Sequence, residues 1–159
     1  MLKGVDPILT ADLLYVLRKM GHGDELVIAD VNFPAASTAN ATPMARPVIE
    51  LAGCDAVDAL AAITSVFPLD MFVEHSAFHM VPSPGSTLPE LAVEVHTLAN
   101  EAIARSSTGA STEPLERFAF YERAKKAFAV VQVGAERRPY GCFILKKGVV
   151  GPDGKDLRP

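Results

Sequence analysis

The chain has 159 residues, 49% of them hydrophobic and 21% charged, a size and balance that fit one globular domain with a buried core and exclude a disordered chain. Its 15 basic side chains face 19 acidic ones, for a net charge of −4, so the basic surplus of a nucleic-acid binder is missing. Cys54 and Cys142 are the only cysteines; they make no disulfide framework, and reduced thiols fit a cytoplasmic protein.

The opening, MLKGVDPILT, has no long apolar core and no cleavage site, so no signal peptide is expected. Thr10 reads as a helix N-cap with Asp12 in the first turn. Leu13, Val16, Leu17 and Met20 then repeat at helical spacing. Gly21 is expected to end this helix as a left-handed C-cap. Leu26 to Ala29 is a continuous apolar run of strand length, which predicts burial on both faces. Residues 34–47 hold three prolines among small residues and read as an irregular loop. A second helix is expected over 55–66, with Val57, Leu60, Ala61 and Thr64 on one face. Residues 71–81, MFVEHSAFHMV, lean toward a strand.

Pro82 to Gly85 is a turn, and Thr87 with Glu90 matches a capping box ahead of a third helix to about Arg105. Residues 106–114 read as a connector. A fourth helix is expected over 117–128, a strand over 129–133 with a break at Gly134, and another strand over 143–145. Gly148 ends the pattern; residues 1–150 form the domain and the polar tail 151–159 is expected to fray. Strands alternating with helices predict an α/β domain. No apolar run approaches the ~18 residues that would span a bilayer, so a soluble protein with no membrane partner is expected. The pairs Lys125-Lys126, Arg137-Arg138 and Lys146-Lys147 are short and read as solvated surface.

Several side chains could carry chemistry. His22 stands between Gly21 and Gly23. A phosphate loop is disfavoured, because the third glycine of a dinucleotide fingerprint is missing and the segment leads into a strand. Two readings are open: an acid/base histidine beside flexible backbone, or a surface turn residue. Asp30 ends the first strand, where ligands gather in α/β folds, or it caps a turn. His75 and His79 are four apart and could hold zinc on a helix, with Glu74; on a strand they lie about 13 Å apart, and no metal site is expected. Cys142 is either a nucleophile activated by Arg137 and Arg138 or a small unreactive side chain. Arg117 and Tyr121 share one helix face, as a hydroxyl clamp or as ordinary packing. Tyr140 could pack against or hydrogen-bond a ligand.

Taken together, MGHGDELVIADVNFPAAS at 20–37, PLD at 68–70, RFAFYERAKKAFAVVQVGAERRPYG at 117–141 and ILKKGV at 144–149 resemble the family shared by the L-fucose mutarotases and D-ribose pyranase. The resemblance spans nearly the whole chain and loosens at 38–65 and 75–115. It implies a single three-layer domain with a mostly parallel central sheet flanked by helices. It also implies interconversion of the anomers of a free monosaccharide, L-fucose first, without cofactor or metal. By residue match His22 would be the catalytic acid/base, and Asp30, Arg117, Tyr140, Gly141 and Cys142 would line the sugar site, with Tyr121 and Asp70 as neighbours. Ring-shaped homo-oligomers, decamers among them, with sites at subunit borders are implied as well. This chain departs from the L-fucose enzymes at Asn32, where they carry a histidine, and at Cys142, where they carry an asparagine. Ribose pyranase activity and non-catalytic sugar binding are the alternatives.

Overall fold

The computed structural model describes residues 2–159. In chain order its elements are α1 (Ala11–Lys19), β1 (Glu25–Ala29), α2 (Ala35–Ala41), β2 (Ile49–Leu51), α3 (Ala56–Thr64), β3 (Ala77–Val81), α4 (Glu90–Ser106), β4 (Thr112–Glu116), α5 (Arg117–Ala124), β5 (Ala129–Val133) and β6 (Phe143–Lys146). One sheet holds the strands in the order β2-β5-β1-β6-β3-β4. β1 pairs parallel with β5, β5 with β2, and β3 with β4; β6 pairs antiparallel with both β1 and β3. Five strands therefore run in one direction and β6 alone runs back between them. As a result, the carboxyl ends of β1, β3, β4 and β5 open on the same edge of the sheet as the start of β6.

Side chains alternate across the sheet, and each face has its own core. Leu26, Ile28, Val131, Phe143 and Leu145 pack with α1, α3 and α4 residues such as Leu13, Leu60 and Ile103. Val27, Ala29, Val130 and Ile144 pack on the other face with Ala35 and Ala39 of α2 and Phe120 and Ala124 of α5. This is the expected three-layer arrangement. Phe120 is fully buried, which contributes about 2 kcal/mol from its apolar surface alone.

Local expectations fared unevenly. The Thr10 hydroxyl does cap α1, accepting the Leu13 N–H at 3.2 Å, and the Asp55 carboxylate caps α3 through the Asp58 N–H at 2.9 Å. Gly21 is not the left-handed residue after α1: Met20 takes an extended conformation there, and Gly23 is the glycine at φ +86°. The segment read as an irregular loop contains α2 at 35–41 and leads into the short β2. Of 71–81 only Ala77–Val81 is strand. No capping box forms, because Pro89 occupies the N-cap of α4 and no side chain caps it. The connector at 106–114 gives way to β4 from Thr112, and the fourth helix stops at Ala124.

The tail turns back instead of fraying. Val150 bridges Asp156, the Leu157 N–H donates to the Val149 carbonyl at 2.8 Å, and the Ser107 hydroxyl donates to the Asp156 carboxylate at 2.8 Å. Two of the charged pairs also do more than meet solvent. Lys147 donates to the Leu17 and Met20 carbonyls at 2.6 and 2.7 Å, satisfying orphan carbonyls at the end of α1. Arg138 is mostly buried and pairs with Glu136, Asp55 and Glu94. Among the described residues no helix is long and apolar enough to cross a membrane.

Candidate functional site

The site forms where the parallel strands end. β1 delivers Asp30, Asn32 and Phe33; β3 delivers Met80; the β4–α5 junction delivers Arg117 and, one turn on, Tyr121; the loop into β6 delivers Pro139, Tyr140 and Cys142. These nine residues line one half-open cavity of about 240 Å³. That is slightly below the ~300 Å³ at which most small-molecule sites begin, so the occupant must be small or shared with another surface.

Asp30 is fixed by its surroundings. Its Oδ1 accepts the N–H groups of Asn32 and Phe33 at 2.8 and 3.0 Å. Its own N–H donates to Cys142 Sγ at 3.4 Å. Burial pushes the Asp30 carboxyl above the usual aspartate value, against the pull of those N–H donors. Cys142 is enclosed, and burial followed by the Asp30 charge drives its thiol well up. It is therefore a neutral thiol that accepts a backbone hydrogen bond, not a nucleophile. Arg138, one of the two arginines that a reactive thiolate here would need, is committed to three carboxylates.

Arg117 is half-buried and makes no salt bridge among the described residues. Its guanidinium lies 5.0 Å from the Phe118 ring centre and 5.8 Å from that of Tyr121. The packing part of the expectation is seen in these ring contacts, and Arg117 and Tyr121 both line the cavity.

The loop between β5 and β6 is braced from below. Glu136 is 1% exposed. Its carboxylate accepts the Arg138 N–H, Nε–H and Nη2–H at 2.9, 2.9 and 2.7 Å, and the Ala56 N–H at the start of α3 at 3.2 Å. Burial works against its charge, but the Arg138 bonds prevail and hold the acid below its usual value. Gly141 sits directly on this acid; a Cβ there would fall 2.7 Å from Glu136 Cγ. Tyr140, next to it, has φ +60°, a region that a bulky side chain enters only when its surroundings compel it.

His22 lies elsewhere. Its Nε2 is 3.3 Å from Asp70 Oδ2, with the imidazole 52% exposed and the carboxylate 2% exposed. The Phe72 ring stands edge-on to it at 6.4 Å. Asp70 is anchored by its N–H to the Lys146 carbonyl at 3.1 Å and by Phe72 N–H on Oδ1 at 3.1 Å. Both residues belong to the amino-terminal edge of the sheet. From Glu25 to Asp30 β1 advances about 16 Å at ~3.3 Å per residue, so within one chain His22 and Asp70 are far from the cavity. The structure thus groups Asp30, Arg117, Tyr121, Tyr140 and Cys142, with Gly141 beneath them, and separately pairs His22 with Asp70. Asn32, Phe33, Met80, Pro139 and the bracing Glu136 join the site; apart from Asn32, no residue pattern in a single sequence singles them out. His75 and His79 take separate partners: His75 lies 3.6 Å from Glu113, while His79 Nδ1 is 2.7 Å from Thr112 Oγ1.

The class that fold and site define is a three-layer α/β domain with a small, partly polar cavity at the ends of its parallel strands. Residues 3–150 match the RbsD / FucU transport protein family. The chain is 46% identical to the fucose mutarotase of Danio rerio, covering 96% of each, and 44% identical to that of Homo sapiens, covering 94% of each. Its fold superposes on the fucose mutarotase of Streptococcus pneumoniae solved in complex with L-fucose, with a TM-score of 0.81 at 37% identity over 94% of this chain and all of that one. The chain belongs to the RbsD / FucU family.

Proposed function

We propose that the protein is an aldose mutarotase, an isomerase acting on L-fucose in the cytoplasm, and that a neighbouring copy in a ring-shaped homo-oligomer, in the decameric state expected by resemblance, brings His22 to the cavity. The observation carrying this reading is the cavity itself: Asp30, Arg117, Tyr121 and Tyr140 converge there in a chain 37% identical to an L-fucose-bound mutarotase. The Asp30 carboxylate accepts from sugar hydroxyls, and Arg117 donates in a planar fork to a vicinal pair. A tyrosine ring offers a flat surface to the apolar side of a deoxy sugar. Cys142 contributes shape and backbone, since its sulfur is already occupied by the Asp30 N–H.

Proton transfer falls to His22. With Nε2 facing the buried Asp70 carboxylate 3.3 Å away, the carboxylate favours the tautomer that leaves Nδ1 as the base. Nδ1 takes the proton of the anomeric hydroxyl and returns it to the ring oxygen as the bond between that oxygen and the anomeric carbon breaks. The aldehyde turns about its bond to the next carbon, and the reverse steps close the ring on the other face. No proton is gained or lost. A positioned acid/base group gives about 10²–10⁴-fold, enough for a reaction that already proceeds in water.

NMR saturation exchange between the L-fucose anomers tests the assignment. His22→Ala is expected to lower the catalysed exchange by at least about 10²-fold. Wild-type exchange rates in that variant would overturn the role of His22, and no acceleration by the wild-type protein, with sugar still bound, would leave a non-catalytic binder. A parallel measurement on D-ribose separates the two specificities.

A further inference from the structure

We infer that His96 is a positioning residue for the cavity: its Nε2–H, donated to the Tyr140 carbonyl across 3.0 Å, holds the loop in its left-handed, binding-ready conformation. This rests on the proposed sugar site for its functional meaning, but not for its geometry.

His96 lies in the middle of α4 and is 6% exposed. A carbonyl only accepts, so Nε2 must carry the proton and His96 is held in one tautomer. The tautomer of its neighbour follows the same way. The Thr112 N–H and hydroxyl both donate to Asn100 Oδ1, at 2.7 and 3.0 Å. With its proton so used, Thr112 Oγ1 accepts from His79 Nδ1–H at 2.7 Å. The two imidazoles touch with centres 4.1 Å apart and planes tilted by 40°, and Phe143 closes the far side of His96 edge-on at 6.0 Å. Burial lowers the basicity of both rings, His79 to about 4, so the pair is neutral at pH 7. It forms a strut from β4 through β3 and α4 to the loop.

The loop needs such a strut. Tyr140 at φ +60° is a bulky residue where the backbone resists it. Its neighbours have anchors of their own: Gly141 rests on Glu136, and Cys142 accepts the Met80 N–H through its carbonyl at 3.0 Å and the Asp30 N–H through Sγ at 3.4 Å, but none of these bonds reaches the Tyr140 peptide. Among the described residues His96 is the hydrogen-bond partner of the Tyr140 carbonyl. Without that bond the loop relaxes in a fraction of molecules. Apparent affinity falls by that fraction, while the bound state, once formed, is the same.

The test compares His96→Phe, which keeps an aromatic ring but has no donor, with His96→Gln, whose amide N–H reaches a similar point. In the Phe variant the KM for anomer exchange of L-fucose should rise about ten-fold with the saturating rate within about two-fold, because one buried hydrogen bond shifts a population by about that factor. Backbone amides of 139–142 should exchange faster by a similar factor. Gln should restore both readouts to within about three-fold of wild type. An unchanged KM in the Phe variant, equal impairment by Gln, or a fall in the saturating rate at constant KM overturns the inference. Should the Phe variant not fold, the wild-type protein decides: NMR should show His96 protonated on Nε2 with a slowly exchanging proton, slowed further by L-fucose. Protonation on Nδ1, or no effect of sugar, refutes the strut. A wild-type protein without affinity for sugar refutes the sugar site instead, and the amide-exchange comparison still judges His96.

Discussion

Replacing Glu136 by alanine tests the brace under the site. The change removes the acceptor of four hydrogen bonds, three from Arg138 and one from Ala56. Arg138 keeps Asp55 and Glu94 at 3.2 and 3.3 Å, so its charge is not left wholly unpaired. The Ala56 and Arg138 backbone N–H groups lose their acceptor, and a void opens beneath Gly141. Breaking a fully buried ion pair costs about 3–5 kcal/mol; the two remaining carboxylates bring the expected loss to about 3 kcal/mol. For a chain of this length that lowers Tm by about 6–12 °C in differential scanning calorimetry. The pH dependence has a definite sign. Glu136 is held below its ordinary value of 4.5 in the folded state, so its contribution is complete above that value and drains away as the pH falls through the folded one. The wild-type and variant melting curves should therefore converge in acid. A Tm loss under about 2 °C at pH 7, or a gap that does not narrow in acid, would refute the claim that this pair braces the loop.

Asp30→Asn should separate stability from binding. Folding raises the Asp30 pKa, so its charged form weighs against the folded state above that value and the penalty disappears as the pH falls. The variant keeps an oxygen for Asn32 and Phe33, and its Tm at pH 7 should match or exceed that of wild type while L-fucose affinity, measured by titration calorimetry, drops at least about ten-fold; a lower Tm with intact affinity would contradict this. At Gly148 an added Cβ would lie 2.2 Å from the Leu69 carbonyl oxygen, so Gly148→Ala must shift the backbone that carries Asp70. That overlap should cost about 2–3 kcal/mol and slow anomer exchange with little change in KM, since the cavity is at the other edge; unchanged thermal stability would show that the backbone there yields freely.

Continuous apolar runs made β1, β5 and β6 legible, because strands buried on both faces carry no polar positions to confuse the period. β4 was not legible: Thr-Glu-Pro-Leu-Glu has neither apolar continuity nor alternation. As the outermost strand it pairs only with β3, so Pro114 loses nothing by lacking an N–H. α2 consists of Ala, Ser, Thr and Asn without large apolar side chains and owes its form to packing under β5. The Thr87–Glu90 signature failed because Pro89 intervenes. Asp30 and Arg117 could be singled out as strand-end and helix-start residues, but their convergence required the order of strands. Arg138 looked like solvated charge because its partners, Asp55, Glu94 and Glu136, lie in three separate segments. His96 carried no signal at all, since what it does depends on a carbonyl 44 residues away.

The placement of His22 and Asp30 at opposite ends of β1 has a consequence for inheritance of activity within an assembly. Under the proposed reading each polypeptide owns half of two different reaction centres, never the whole of one. Co-producing a chain that lacks His22 with one that lacks Arg117 would then rebuild intact centres wherever the unlike halves meet, and dilution past the point of dissociation would extinguish turnover without unfolding anything.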